Sequence, residues 1–303
     1  MLLKISIILT TFNPGRIIYK TLDSILSQKG IDDKFKLELI VVDDCSHENI
    51  QDLCEKENIF FESTKINSGG PNKGRNIGLN LCSGDYIIIA DQDDIWEKSR
   101  ILNYLPFCNE FKIMSCGFFV DDSFNNKDRL RLKNDNKGYK YYKKNQTFLD
   151  KLKRSKDGQN TYLGSIMFSK SLKNIFFEED FGFVDYDWIL KIFHKNDSIE
   201  ICKSLYTRRV NKKNLSLQKN YRIKEFYYCL MFTEQYQKTY PQEVRKGNLR
   251  IHGSRARFHY VINEMSLARF YFVQSEKTLI TFLYYLTTFF GNQWVKRKFN
   301  VFG

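Results

Sequence analysis

Proline is scarce in this 303-residue chain: there are four, beside 16 Gly, 18 Tyr and 26 Phe. That balance excludes a collagen-like or proline-rich disordered polymer and leaves a globular chain able to bury a large core. Cysteine numbers seven, an odd count with no C-x-x-C pair, which argues against a disulfide framework and a thiolate zinc site and favours a reducing compartment. The four His, at 47, 194, 252 and 259, show neither H-E-x-x-H nor another ligand spacing, and none is assigned a catalytic role. The amino terminus lacks a basic segment ahead of its apolar run and a small-residue cleavage site after it, so it is read as a strand rather than a signal peptide. The longest apolar stretch, 279 to 290, is about a dozen residues and includes Thr281, Thr287 and Thr288, short of the ~20 needed to span a bilayer.

Acidic residues are also missing from one end. The net charge is +13, yet residues 1 to 100 carry more acid than base, and residues 216 to 303 contain no Asp at all. In that last part Arg and Lys alternate with aromatics, as in Tyr221-Arg222-Ile223-Lys224 and Arg255-Ala256-Arg257-Phe258. The pattern suits a solvated basic face over a helical core, an acidic leaflet carrying a lipid-linked substrate, or nucleic acid. Without a helix-turn-helix or RNA-recognition signature, nucleic acid ranks last and is not expected as a partner.

The first hundred residues alternate strand and helix signals at the spacing of a mainly parallel α/β sheet. Leu3 to Thr10 is a buried strand, Asn13-Pro14 a helix start with Ile17, Ile18, Leu22, Ile25 and Leu26 at helical spacing, and Leu37 to Val42 a second strand. A helix from Glu48 to Asn58, a strand from Ile59 to Ser63, a helix from Lys73 to Cys82 and a strand from Tyr86 to Ala90 follow. Beyond residue 100 the expectations are a strand at 112 to 120, a basic insertion at 130 to 156, a strand at 162 to 168 and helices from Tyr221 onward. The implied division is 1–215, with nucleotide binding in 1–100 and the acceptor side in 101–215, followed by a basic, aromatic-rich helical region in 216–303.

Three strands end in polar clusters: Thr10-Thr11-Phe12-Asn13, Asp43-Asp44 and Asp91-Gln92-Asp93-Asp94. Ligands of open α/β sheets lie beyond the carboxyl ends of the strands, so these clusters are expected to converge. Asp91 and Asp93, two residues apart at a bend, can both face a hard cation such as Mg2+ or Mn2+; a solvated turn is the plainer alternative. Asp44 suits a nucleobase N–H or ribose hydroxyl, against a helix N-cap. The run Gly69-Gly70-Pro71-Asn72-Lys73-Gly74-Arg75-Asn76 fails the P-loop, because Arg75-Asn76 stands where Lys-Ser/Thr is required, and it contains no G-x-G-x-x-G. It remains a Gly-rich turn opening a helix, with Lys73 and Arg75 placed to neutralise a diphosphate. Asp185-Tyr186-Asp187-Trp188 starts another helix, and either acid is a candidate general base or a capping residue.

Taken in order, Ile5-Ser6-Ile7-Ile8-Leu9-Thr10-Thr11-Phe12-Asn13, Ile40-Val41-Val42-Asp43-Asp44-Cys45-Ser46, Gly74-Arg75-Asn76-Ile77-Gly78, Gly84 through Asp94, and Asp185-Tyr186-Asp187-Trp188 resemble family 2 glycosyltransferases of the GT-A fold. The resemblance covers residues 3 to 216. It implies a GT-A nucleotide-diphospho-sugar transferase fold with a C-terminal helical extension, and an inverting, metal-dependent transfer of sugar from a nucleoside-diphosphate donor, a UDP-sugar foremost. The acceptor would be a glycan or lipid-linked hydroxyl in bacterial surface-polysaccharide synthesis, on the cytoplasmic side, peripherally at the inner membrane face. Thr10, Phe12, Asn13, Asp44, Gly70, Arg75, Asp91 and Gln92 would hold the donor. Asp91 and Asp93 would hold Mn2+ or Mg2+, and Asp185 would be the base. Two positions depart from the family pattern: Asn211 replaces a His after Arg209, and Val184 replaces a Glu before Asp185. Those departures motivate the alternative of a nucleotide-sugar binding protein without turnover.

Overall fold

The computed structural model describes residues 2–122, 128–133, 135–210 and 218–293. The chain forms two compact units, residues 1–148 with 158–212, and residues 149–157 with 213–303.

In the first unit, strand β1 (Leu3–Thr11) leads to helix α1 (Ile17–Leu26), β2 (Phe35–Asp43), α2 (Ile50–Lys56), β3 (Phe60–Ser63), α3 (Asn72–Leu81) and β4 (Tyr86–Asp91). These strands pair in parallel in the order β3-β2-β1-β4. Ile5, Ile7, Ile8 and Leu9 are all fully buried, which is why β1 is a continuous apolar run rather than an alternating one: helices cover both faces. Ile18, Leu22 and Ile25 of α1 join that core. Helix α3 lies close against β1, since a Cβ on Gly78 would stand 2.3 Å from Ile8 Cγ2.

The second half of the sheet is mixed. After the short β5 (Ile95–Trp96) and α4 (Arg100–Tyr104), β6 (Ile113–Asp121) is followed by β7 (Arg129–Arg131), β8 (Tyr139–Tyr142), α5 (Gln146–Leu152), β9 (Met167–Ser169), α6 (Tyr186–Phe193) and β10 (Ser198–Arg209). Strand β9 runs antiparallel between β4 and β6, β10 runs parallel to β6, and β5 closes the edge antiparallel to β10. The basic insertion expected at 130 to 156 thus contains two strands that pair with β6 and β10, and a helix. The strand expected over 162 to 168 begins instead as a 3-10 turn, Leu163–Ser165, and only its end is extended. Strand β10 escapes the sequence reading because buried polar residues interrupt its apolar ones, Ile199, Ile201, Leu205 and Tyr206, which join the core. Ser198 and Glu200 are buried, and the Glu200 carboxylate accepts from Tyr142 Oη at 2.9 Å and from the Asn160 N–H at 3.2 Å.

The second unit contains α7 (Lys219–Glu234), α8 (Pro241–Val261), α9 (Met265–Val273) and α10 (Leu279–Thr287). Pro241 occupies the first turn of α8, where a missing N–H costs nothing. Ala256 and Tyr260 of α8 pack with Ala268 and Phe272 of α9. Gly247 of α8 permits close passage of the 149–157 segment: a Cβ there would be 2.3 Å from the Leu152 carbonyl, and Arg250 Nη1 donates to the Lys153 carbonyl at 2.9 Å. Among the described residues no helix is long and apolar enough to cross a membrane.

Candidate functional site

Strand register assembles the first part of the site. Thr10 lies beside Val42 on one side and Asp91 on the other, and Thr11 lies beside Asp43, so the polar ends of β1, β2 and β4 share one rim. Asp43 is structural: its carboxylate accepts from Thr11 Oγ1 at 2.8 Å and from Ser46 N and Oγ at 2.8 and 2.6 Å, which folds the turn after β2. Asp44 is buried, and its Oδ1 accepts from Thr64 Oγ1 at 2.7 Å and the Ser68 N–H at 2.9 Å. Neither acid caps α2; Asn49 does, accepting from the Asp52 N–H.

Asn13 does not start a helix. It holds a left-handed φ of 44°, and α1 begins only at Ile17, with no side-chain cap. Its polar groups are used across the rim: the side-chain Oδ1 accepts from the His47 N–H and the backbone N–H donates to Ser46 Oγ. The Gln92 amide is likewise engaged at both ends, accepting from the Phe12 N–H at 2.7 Å and donating to the Phe12 carbonyl at 3.2 Å. Gln92 therefore positions Phe12, whose ring is 45% exposed at the rim.

Helix α3 supplies the second part. The buried Arg75 guanidinium donates to Asp91 Oδ1 and to Asn72 Oδ1, each at 3.0 Å, and lies 5.3 Å over the Phe177 ring. Asn72 in turn donates to the Val184 carbonyl at 3.0 Å and the Glu178 carbonyl at 2.7 Å, while Asn76 donates to the Phe177 carbonyl and Glu179. Gly70 belongs to the same tie. A Cβ there would stand 2.4 Å from the Gly182 carbonyl, so the side-chain-free backbone lets residues 177–184 pass against the Gly-rich turn. The segment ends on Val184, immediately before Asp185. A continuous path of polar contacts runs from Asp91 through Arg75 and Asn72 to the doorstep of Asp185, and the path from Asp44 runs through Ser68 to Gly70.

The two acids opening α6 differ. Asp187 is 1% exposed and paired with Lys191 at 2.5 Å, whereas Asp185 is partly exposed at the N-cap position and makes no side-chain capping bond. Trp188 anchors the helix, donating from Nε1 to the Ile175 carbonyl and stacking on Phe177 at 4.7 Å.

The acidic turn after β4 concentrates negative charge. Burial, and then the neighbouring Asp91, push the Asp93 carboxyl up to about 6. Asp94 is buried outright, and burial, Asp91 and Asp93 raise it well above the ordinary range while Arg208 and Arg100 draw it down. Among the described residues no group of three or more His, Cys, Asp or Glu gathers as a metal cage. Asp91 and Asp93 nevertheless fit a hard divalent ion of the Mg2+ type, which takes one or two carboxylates and completes its shell with substrate phosphate. Their mutual repulsion is what such a cation would relieve. Asn211 lies outside the described residues.

Several contributors were not anticipated. Asn72 and Asn76 looked like turn and helix-start residues, and the stretch they hold carries no motif. Arg100 sits fully buried between aromatic rings, 3.9 Å from Trp96 and 4.9 Å from Tyr206, and donates to the Gly164 carbonyl. Arg208 donates to Tyr162 Oη at 2.7 Å. Both surround Asp94, and each comes from a separate stretch of chain, so no local pattern announces them.

Comparison with known proteins bears on the family and the fold. The model of Glycosyl transferase family 2 matches residues 6–176. Poly(ribitol-phosphate) beta-N-acetylglucosaminyltransferase TarS of Staphylococcus aureus is 32% identical over 113 residues, which is 36% of this chain and 19% of TarS. The S. aureus enzyme TarP is 34% identical over 104 residues, 32% of this chain and 31% of TarP. The dTDP-rhamnosyl transferase RfbG of Shigella flexneri is 32% identical over 117 residues, 36% of this chain and 39% of RfbG. The aligned part is thus well under half of each relative. The crystal structure of S. aureus TarS residues 1–349 in complex with UDP-GlcNAc aligns with a TM-score of 0.65 over 90% of this chain and 82% of that one, at 17% identity, which establishes a shared fold. With its strand-end acids in register and a family model that spans more than half of its length, the chain belongs to glycosyl transferase family 2.

Proposed function

We propose that this chain is an inverting glycosyltransferase that moves a sugar from a nucleoside diphosphate, with UDP the leading choice, to a hydroxyl of a glycan or lipid-linked acceptor in bacterial surface-polysaccharide synthesis. The observation that carries the reading is the tie from Asp91 through Arg75 and Asn72 to the residue before Asp185: it couples the donor-side acids to a partly exposed carboxylate. By their names TarS and TarP are poly(ribitol-phosphate) beta-N-acetylglucosaminyltransferases and RfbG is a dTDP-rhamnosyl transferase, which supports sugar transfer here.

In this reading Thr10, Phe12, Asn13 and Asp44 receive the nucleoside, with Asp44 accepting from a base N–H or ribose hydroxyl. Arg75 lies beside the diphosphate and the sugar, held by Asp91 so that its charge is oriented before substrate arrives. Asp91 and Asp93 would hold Mn2+ or Mg2+, which when bound neutralises charge on the departing diphosphate. Asp185 accepts the proton of the acceptor hydroxyl as its oxygen attacks the anomeric carbon from the face opposite the leaving group; the new glycosidic bond forms as the old one breaks, with inversion. Asp187, buried and paired with Lys191, is the poorer base. The acceptor points to work on the cytoplasmic side, peripherally at the cell membrane.

The test is release of nucleoside diphosphate from UDP-sugars, with and without acceptor, in Mn2+ or Mg2+. Turnover should fall by about two to four orders of magnitude in Asp185→Asn and about two to three in Asp93→Asn, the loss of a general base and of a charge-stabilising group. Donor binding with no turnover under any metal would replace this reading with a nucleotide-sugar binding protein.

A further inference from the structure

Helix α10 has no buried residue. Leu279 (74% exposed), Ile280, Phe282, Leu283 and Leu286 project to solvent from it, and Phe290 just beyond is 84% exposed. A water-facing helix would normally bury one stripe and charge the other. This one carries no charge at all, and no Asp or Glu occurs anywhere from residue 277 to 303. A groove of about 590 Å3 lies beside it, lined by Arg269, Phe270, Val273, Gln274, Tyr285 and Phe289. Cations frame the apolar surface. The Arg269 guanidinium sits 4.8 Å over the Phe289 ring, and Lys277 closes the end of α9 by donating to the Val273 carbonyl.

We propose that α10 with Phe289 and Phe290 is a lipid-inserting surface that lies in the plane of an anionic leaflet, its apolar side chains among the acyl chains and the flanking cations at the phosphates. The chemistry selects this occupant over others. Apolar side chains flanked by Arg269 and Lys277, with the neighbouring Glu276 paired to Arg250 at 3.0 Å, match an interface that is greasy inside and negative at its rim. A second copy of the chain would set cation against cation. A nucleic acid would gain nothing from exposed leucine and isoleucine. The geometry excludes a span: residues 279 to 290 as helix reach about 18 Å, against ~30 Å of hydrocarbon. The inference deepens the peripheral location proposed above and does not depend on sugar transfer.

Sedimentation of the full chain with vesicles tests it, using phosphatidylcholine alone and phosphatidylcholine with about one-third phosphatidylglycerol. The chain should bind the mixed vesicles, weakly or not at all the neutral ones, and lose binding as salt rises. Ile280→Ser with Phe282→Ser should weaken binding about tenfold or more, given two large apolar side chains withdrawn from lipid. Phe290→Ser, beyond the helix, supplies an independent loss should the double variant misfold by circular dichroism, and Lys277→Glu should weaken binding to the mixed vesicles alone. Wild-type chain left in the supernatant, equal binding to both vesicle types, or variants that bind as wild type would each overturn the proposal. So would a lipid-free dimer that the same substitutions dissolve. Donor turnover measured without vesicles on the same preparations reports on the transferase reading separately, so failure of one can be told from failure of the other.

Discussion

Arg75 shows how one side chain comes to have a function. Its two forked nitrogens divide between Asp91 and Asn72, and its flat face rests on Phe177, so the guanidinium is fixed in a plane that lysine cannot reproduce. We expect Arg75→Lys to retain the fold and to lower turnover by about two orders of magnitude, as loss of one oriented donor does elsewhere; steady-state kinetics beside a thermal melt would separate the two effects. Gly70 is the converse case, functional by having no side chain. Gly70→Ala puts a methyl 2.4 Å from the Gly182 carbonyl and must push residues 177–184 away from the turn. Overpacking of this kind costs about 1–3 kcal/mol, and because the displaced segment ends at Asp185, turnover should fall along with the melting temperature. Residue identity alone was enough to nominate Arg75, Asp91 and Asp44. It could not separate Asp185 from Asp187, which differ in burial and in the Lys191 pair rather than in type.

Among the elements, the sheet is held at the end opposite the site by Glu38. This β2 carboxylate accepts from Ser6 Oγ on β1, from Ser83 N and Oγ ahead of β4, and pairs with Lys4 at 2.6 Å. Burial by itself would raise its carboxyl, but Lys4, Ser6 and Ser83 together bring it down from 4.5 to about 2. A folded-state value below the unfolded one means that the stabilisation is complete above pH 4.5 and disappears as pH falls toward about 2. Allowing for partial exposure, it is on the order of 2 kcal/mol. Glu38→Gln should therefore lower the melting temperature at pH 7 and converge on wild type near the acid limit, which melts across pH would show. Strands β1, β2 and β4 are legible because each contains an apolar run buried on both faces, and β3, a partly exposed edge strand, because it follows a helix at the expected spacing. Strand β10 is not, because Ser198 and Glu200 look like surface residues until Tyr142, Asn160 and Thr147 are folded around them. Strand β9 is shorter than the sequence suggests, since Leu163-Gly164-Ser165 is equally at home in a buried 3-10 turn.

At the scale of the whole molecule, the seven cysteines report folding. All are free thiols; Cys54, Cys82, Cys108, Cys116 and Cys229 are buried, and Cys45 and Cys202 are partly exposed. Burial pushes Cys54 up to about 11 and Cys108 up to about 12, so neither supplies thiolate near neutrality. In a thiol-labelling time course on native protein, Cys45 and Cys202 should react first, and the other five should appear only as denaturant unfolds the chain. By itself the sequence determined the parallel half of the sheet, the polar strand ends and the family, because hydrophobic periodicity and short strand-end motifs are local properties of a chain. The tertiary structure alone decided which polar residues meet. Arg75 finds Asp91, Asn72 reaches Val184 across more than a hundred residues, and Arg208 and Arg100 enclose Asp94. Such pairings depend on strand order and on desolvation in a folded interior, and neither exists until the chain has closed on itself.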